Sequence, residues 1–377
     1  SVDIQSSGDV FIDGSIFSSE TNTLDNGGNI KVLGNRIALL DNATIDTSAA
    51  NGGGEILIGG NYLGKGPEPN AKVAVISENA EIKADALHTG NGGTVIVWSD
   101  EYTGFYGDIS AQGSDLGTGG FVETSSKINL QAFGSVDATG GLSNGLWLLD
   151  PLNVTITNAQ ADGSFDGQSP NVFTPTGSSA TVNATDIKSS IDGGTSVKIF
   201  TYGEGEQNGN ITISSNAAAL ASLANEETTT FTLVAAGDIT INDNITAATN
   251  PVNIVLRAQG NVSITEDITT KGGTFTVTGA NDDGNDSSAL TSAASFTSSA
   301  LIDTTGGSNL DGGAISISTT VRDASTGDIT LNGNLITTGG TATSTGRTGG
   351  GVTLTAGQGD TDGAITTSTT VSYTHLT

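Results

Sequence analysis

The residues able to do chemistry in this chain are almost all carboxylates. Forty Asp and Glu stand against twelve Lys and Arg, with two histidines and no cysteine. Disulfides and thiol chemistry are therefore excluded. Acid–base cleavage of a polysaccharide needs acids that converge on one groove with a cation beside them. Asp108 and Asp137 are spaced to lie one coil apart if the chain winds into a helix of strands. The other acids are scattered and cations are few, so this pairing is of the kind that chance supplies. His88 and His375 are the two neutral bases. No Arg-Gly-Asp, phosphate loop or nucleophile elbow occurs.

Three other constellations carry possible binding chemistry. Trp98, Tyr102, Phe105 and Tyr106 are the densest aromatic group. They could stack on sugars, but packing between coils is the expectation, as it is for Trp147. Gly306-Gly307-Ser308-Asn309-Leu310-Asp311 is one imperfect copy of a calcium-binding β-roll repeat, without tandem partners. Asn281-Asp282-Asp283-Gly284-Asn285-Asp286 is rich in oxygen donors but lacks EF-hand spacing. A solvated acidic loop is the expectation there. Asn-x-Ser/Thr sequons stand at Asn42, Asn153, Asn183, Asn210, Asn244, Asn261 and Asn285. The sequence thus designates no catalytic, cofactor-binding or metal-ligating residue, and no cofactor.

The elements that position these residues follow from a recurring phrase. Gly8-Asp9-Val10-Phe11-Ile12 leads to Ile16, and Gly237-Asp238-Ile239-Thr240-Ile241 to Ile245. Gly260-Asn261-Val262-Ser263-Ile264 leads to Ile268, and Gly327-Asp328-Ile329-Thr330-Leu331 to Leu335. Gly209-Asn210-Ile211-Thr212-Ile213 is a partial copy. A turn pair, a short alternating strand, a corner and another inward aliphatic make one coil of a solenoid. One coil cannot bury its apolar face alone, so coils stack and pair their strands in parallel. The phrase Gly-Asn-Ile-Thr also generates sequons automatically, because Thr suits an outward strand position.

Four stretches follow. Residues 1–156 hold the strictest repeats, with Gly-Gly turns at Gly27-Gly28, Gly52 to Gly54, Gly92-Gly93 and Gly119-Gly120. Most intervals are about 25 residues; one near 40 calls for an extra coil or an insertion. Residues 157–208 are irregular, with a short capped helix expected over 185–193. A second helical candidate spans 217–223. Residues 209–370 return to Thr- and Ser-rich coils of about 23 residues. Residues 371–377 break the pattern and read as a non-native tail.

Composition limits the partners. The net charge of −28 leaves no basic run for nucleic acid or an anionic membrane. No stretch of about 20 apolar residues occurs, so no transmembrane helix is expected. With no Met and no leader-like start, the chain reads as an internal fragment of a larger protein.

One ordered series of motifs points to a family. It comprises Gly59-Gly60-Asn61-Tyr62-Leu63-Gly64-Lys65-Gly66, then Asn91 to Asp100 with its Thr94-Val95-Ile96-Val97-Trp98 core, then Thr103 to Ile109. Gly119-Gly120-Phe121-Val122-Glu123 and Leu148-Leu149-Asp150-Pro151-Leu152-Asn153-Val154-Thr155-Ile156 complete it. The series resembles the large exoproteins of the filamentous haemagglutinin type, the passengers of two-partner secretion in Gram-negative bacteria. The resemblance covers residues 27–156, extends to 181–250, and is only compositional beyond.

The resemblance implies an all-β, right-handed parallel β-helix, to which the residues add a short irregular or helical insertion in the middle. It further implies a non-catalytic adhesin shaft, secreted or displayed on the outer-membrane surface, with a glycan or protein receptor. Alternatives are the stalk of a contact-dependent toxin and a carbohydrate-active β-helix enzyme. The family's Asn-Pro-Asn-Gly-type secretion motifs do not occur here. The chain therefore resembles the region downstream of the secretion domain, and only the full-length protein would engage an outer-membrane transporter.

Overall fold

The computed structural model describes residues 1–19, 25–159, 163–165, 173–175, 179–201, 209–280, 293–321, 325–342, 346–357, 363–368 and 371–372. The chain divides into two compact units. The first comprises residues 1–152 and 159–197, the second 153–158 and 198–377. The chain thus passes from the first unit to the second, returns, and leaves again. Both units are parallel β-solenoids, as the repeat predicts.

In the first unit each coil contributes up to three strands. The first sheet stacks Val2–Gln5, Asn29–Leu33, Glu55–Ile58, Thr94–Ser99, Phe121–Ser126 and Leu146–Leu149, all parallel. Their register places Val2, Ile30, Ile56, Val95, Val122 and Trp147 in one column. The second sheet aligns Ile12, Leu39, Ile76, Phe105, Ala132 and Val182. The third aligns Ile16, Ile45, Ile82, Ile109 and Val136. Alternation sends these side chains inward, and stacking like on like gives a dry core one coil wide. Phe105 and Trp147 meet edge to face at 6.1 Å, and the indole N–H donates to Thr124 Oγ1 at 2.9 Å. A buried Trp requires such a partner. Trp147 is therefore a core residue.

The interval near 40 is an insertion and not an extra coil. Glu55–Ile58 pairs directly with Thr94–Ser99, and the added residues form a loop between Ile58 and Val73.

Two further segments complete this unit. Ala180–Asn183 pairs beside Asn129–Ala132 in the second sheet. The helix expected over 185–193 is Ala184–Asp192. Asn183 caps it, its side chain accepting from Thr185 N at 2.7 Å, and Gly193 closes it. Ala184, Ile187 and Ile191 form its buried stripe. It packs on Ser135–Asp137, the last strand of the third sheet. Val136 N–H donates to Ser190 Oγ at 3.3 Å and Ala138 N–H to Thr195 Oγ1 at 2.8 Å. Side chains thus satisfy a sheet edge that would otherwise present bare donors. Gly163–Phe165 and Phe173–Pro175 form a short antiparallel pair.

In the second unit the first sheet aligns Phe231, Ile254, Phe275, Ile315 and Val352. The second aligns Val154, Ile211, Ile239, Val262, Phe296, Ile329 and Ile365. The third aligns Ile245, Ile268, Ile302, Leu335 and Val371. Val371–Ser372, within the stretch read as a tail, pairs in parallel with Leu335–Ile336 like the coils before it. The candidate at 217–223 is a 3-10 turn, Ala218–Ser222.

The Asp or Asn of the recurring phrase has a defined task. Asn153 Oδ1 accepts Asn210 N–H at 2.6 Å, and Asn210 Oδ1 accepts Asp238 N–H at 2.8 Å. Asp238 Oδ1 accepts Asn261 N–H at 2.7 Å, and Asp328 Oδ1 accepts Ala364 N–H at 2.8 Å. Each side chain ties the next coil at the same corner, where no strand pairing is available.

Candidate functional site

Three motifs of the series, Gly59 to Gly66, Asn91 to Asp100 and Gly119 to Glu123, meet on one outward face of the first unit. Its cover is the inserted loop. Ala71 N–H donates to Gly59 O at 2.7 Å, closing the loop at its base. Inside it, Asn61 Oδ1 accepts Glu68 N–H at 3.0 Å. Pro67 and Pro69 on either side of Glu68 stiffen the return. Glu68 forms an ion pair with Lys31 on the first sheet.

The loop lies on an apolar cluster of Leu57, Ile96 and Trp98. Gly64 sits on the indole at φ +63°, where an added Cβ would be 2.4–2.6 Å from ring atoms. A glycine is required there on both counts. Asn70 Nδ2 donates to Gly64 O at 3.1 Å and to Asp100 Oδ1 at 3.0 Å. The same Asp100 oxygen accepts Trp98 Nε1–H at 3.2 Å. Tyr62 meets Phe121 edge to face at 5.7 Å.

Glu123 lies beneath this loop, fully buried. Leu63, in the left-handed region at φ +53°, donates its N–H to both Glu123 carboxylate oxygens at 3.2 Å. Burial pushes the carboxyl up to about 7, against the opposing pull of the Leu63 N–H and the Ser125 hydroxyl. Register puts Glu123 opposite Ile96 on one side and Leu148 on the other. The sequence held a signal for this covered face. Ile56-Leu57-Ile58 and Val95-Ile96-Val97-Trp98 are apolar without alternation, as strands buried on both faces are. Sequence reasoning missed that Glu123 shares that face.

The other sequence candidates separate. Asp108 stands opposite Ser135, and Asp137 opposite Ser110, so the two acids do not face each other. Ser135 Oγ donates to Asp108, and Asp137 Oδ1 accepts Thr139 N–H at 3.1 Å. Asp186, in the first turn of the helix, was not foreseen. Burial first, and then the Asp108 charge, push its carboxyl up to about 6. Asp85 is also raised, by burial first, while Gln112 N–H and Ser110 Oγ–H each donate to it at 2.7 Å. Trp98, Tyr102 and Phe105 are all at most 5% exposed, which leaves no open platform for a sugar. Tyr102 and Tyr106 share a hydroxyl hydrogen bond of 2.8 Å. Burial raises both phenols, Tyr106 to about 12. Tyr106 stacks on Phe133 at 6.1 Å.

Among the described residues no group of His, Cys, Asp and Glu is arranged to hold a metal ion. Asp311 accepts Thr348 N–H at 2.9 Å in a turn of the second unit. The 281–286 loop, Asn285 and His375 lie outside the described residues. The remaining sequons have structural tasks. Asn153, Asn210 and Asn261 belong to the corner ladder, and Asn244 Oδ1 accepts Asp267 N–H at 3.2 Å. Asn183 caps the helix, and Asn42 takes a left-handed turn at φ +71°.

An open groove of about 580 Å³ runs along the glycine corner of the first unit, floored by Gly92, Gly93, Gly119, Gly120 and Gly145. A Cβ at any of these positions would come within 1.9–2.2 Å of neighbouring backbone, so the floor carries no side chains. No charged side chain lines it. Among the described residues no helix is long and apolar enough to cross a membrane. Compared with known proteins, the chain matches no family model and no curated sequence.

Proposed function

We propose that this chain is a non-catalytic shaft segment of a secreted or surface-displayed adhesin, attaching to cells, surfaces or glycans through shallow, repeated contacts. The observation that carries this reading is how the distinctive residues are used. The aromatic, glycine and carboxylate motifs between Gly59 and Glu123 are spent on packing, hydrogen bonding and covering one face of the coil stack. Stacked coils with short polar outward side chains favour multivalent, shallow binding over a deep pocket. The full-length protein would use an outer-membrane transporter, and the receptor would be a glycan or a protein.

The observation that favours a carbohydrate-active enzyme instead is the raised carboxyl of Asp186 beside Asp108. The two readings separate in one experiment. The purified chain is offered to cultured epithelial cells and to immobilised polysaccharides, and reducing ends are assayed in the supernatant. Saturable binding without new reducing ends supports the shaft. New reducing ends without binding overturn it.

A further inference from the structure

We propose that the loop 59–71 is a proton-operated strap. It is held down while Glu123 is protonated and loosens when Glu123 ionises, uncovering the face formed by Leu57, Ile96 and Trp98. The inference stands apart from the adhesin reading, since it concerns only how this face is covered.

The geometry carries it. An ionised carboxylate offers about four acceptor sites and needs water, a cation or several donors when buried. Here one backbone N–H, that of Leu63, is shared between both oxygens at 3.2 Å. The Ser125 hydroxyl is the other group acting on it. The ionisable groups on the surrounding elements are Tyr62, Lys65 and Glu68 of the loop, Lys72 just after it, and Lys31 and Glu55 of the first sheet. Asp100, Glu101, Lys127 and Asp150 complete them. Lys31 is taken by Glu68, Lys72 by Glu101, and Asp100 by Asn70 and Trp98. None of these charges acts on Glu123. Its own strand, Phe121–Ser126, carries no other ionisable group.

The strap is also held with little to spare. Asn70 Oδ1 is buried without a hydrogen-bond partner among the described residues. Leu63 occupies a left-handed conformation that a branched side chain adopts at a cost. Both terms oppose closure, so the ionisation of one buried group can shift the balance. Lifting the loop would hydrate Glu123 and release Asn70 together.

The direction is fixed by linkage. The closed form holds the Glu123 proton more tightly than an open form, in which an ordinary glutamate titrates near 4.5. Closure is therefore firmest below about pH 4.5, weakens through the interval up to about 7, and is flat beyond it. The opening equilibrium should rise on the order of 100-fold across that interval.

Amide hydrogen exchange of residues 59–66, corrected for intrinsic rates, tests this between pH 4 and 8. The wild-type chain should lose protection there on the order of 100-fold, while Glu123→Gln and Glu123→Leu should show no slope. Gly64→Ala, which cannot seat on Trp98, should be unprotected at every pH and calibrates the open state. Protection that stays constant with pH in the wild-type chain overturns the proposal. So does an equal slope in a folded Glu123→Gln or Glu123→Leu protein.

Discussion

The two units solve the same corner differently. In the first, the corner residue of three successive coils is Ala84, Ala111 or Ala138, and its carbonyl takes the N–H of Gly93, Gly120 or Gly145 at 2.7–2.8 Å; one coil earlier Thr47 O takes Gly54 N–H at 3.0 Å. In the second, Thr270 and Thr304 accept from Gly273 and Gly313 in the same way, at 3.1 and 2.8 Å. Their hydroxyls add a second bond, Thr270 and Thr304 Oγ1 each donating to the same glycine's carbonyl at 2.6 Å. Thr337 donates likewise to Gly350 O at 2.7 Å. At the three alanine corners the first unit packs methyl groups against bare backbone, and at the fourth the Thr47 hydroxyl turns to Lys83 O at 3.4 Å instead of to a glycine carbonyl. The second unit ties it with buried hydroxyls. The Thr-rich composition of the later coils is thus partly core chemistry.

The difference extends to the outer faces. The first unit carries apolar outward residues, Leu57 and Ile96, and covers them with a loop. In the second, Thr212, Thr240, Ser263, Thr297 and Thr330 stand in one outward column. Threonine ladders suit a half-exposed sheet face and need no cover. A covered face permits a buried acid such as Glu123; an open Thr column does not.

Four kinds of substitution probe the comparison, each read as local stability by hydrogen exchange in its own unit. The largest effect is expected at the inward aromatic of each unit's first sheet. Trp147→Ala in the first and Phe275→Ala in the second should each cost about 3–5 kcal/mol. A much smaller loss in one unit would mean that its core is loosely packed.

Next is the corner backbone. A Cβ at Gly120 would lie 2.2 Å from Gly93 O, and one at Gly313 would lie 1.9 Å from Gly273 O. Gly120→Ala and Gly313→Ala should both destabilise by about 2–4 kcal/mol. Gly351→Ala, with nothing within 4 Å, should be silent.

The hydroxyl tie is smaller. Thr304→Val keeps the shape and leaves Gly313 O without that donor, for a loss of about 1–2 kcal/mol confined to the second unit. No loss would show that the threonine corner acts by shape alone. The smallest effect is at the ladder. Asp238→Asn preserves the acceptor for Asn261 N–H and should change stability by less than about 0.5 kcal/mol, whereas Asp238→Ala should cost about 1 kcal/mol.

Much of the fold was legible in the sequence, for reasons visible in particular residues. The aliphatics of the recurring phrase, Ile239, Ile241 and Ile245, point inward as alternation requires. The helix expected over 185–193, ended by Gly193, lies within one residue of the observed Ala184–Asp192 at each end, while the Asn183 cap was read only as a sequon. The site was less legible. Asp108 and Asp137 were matched by spacing, but pairing depends on register, which sets each acid opposite a serine. Asp186 approaches Asp108 only because the helix returns to the third sheet, a long-range placement that local pattern does not encode. The burial of Glu123 depends on a loop some 60 residues earlier in the chain.

The carboxylates described above build and tune the solenoid, and we propose that they do not cleave a substrate. The direct measurement compares the wild-type chain with the Asp108→Asn, Asp186→Asn double variant on immobilised polysaccharide, recording bound protein and released reducing ends together. The account predicts equal binding by the two proteins and no release by either. Release by the wild-type chain that disappears in the double variant would contradict it.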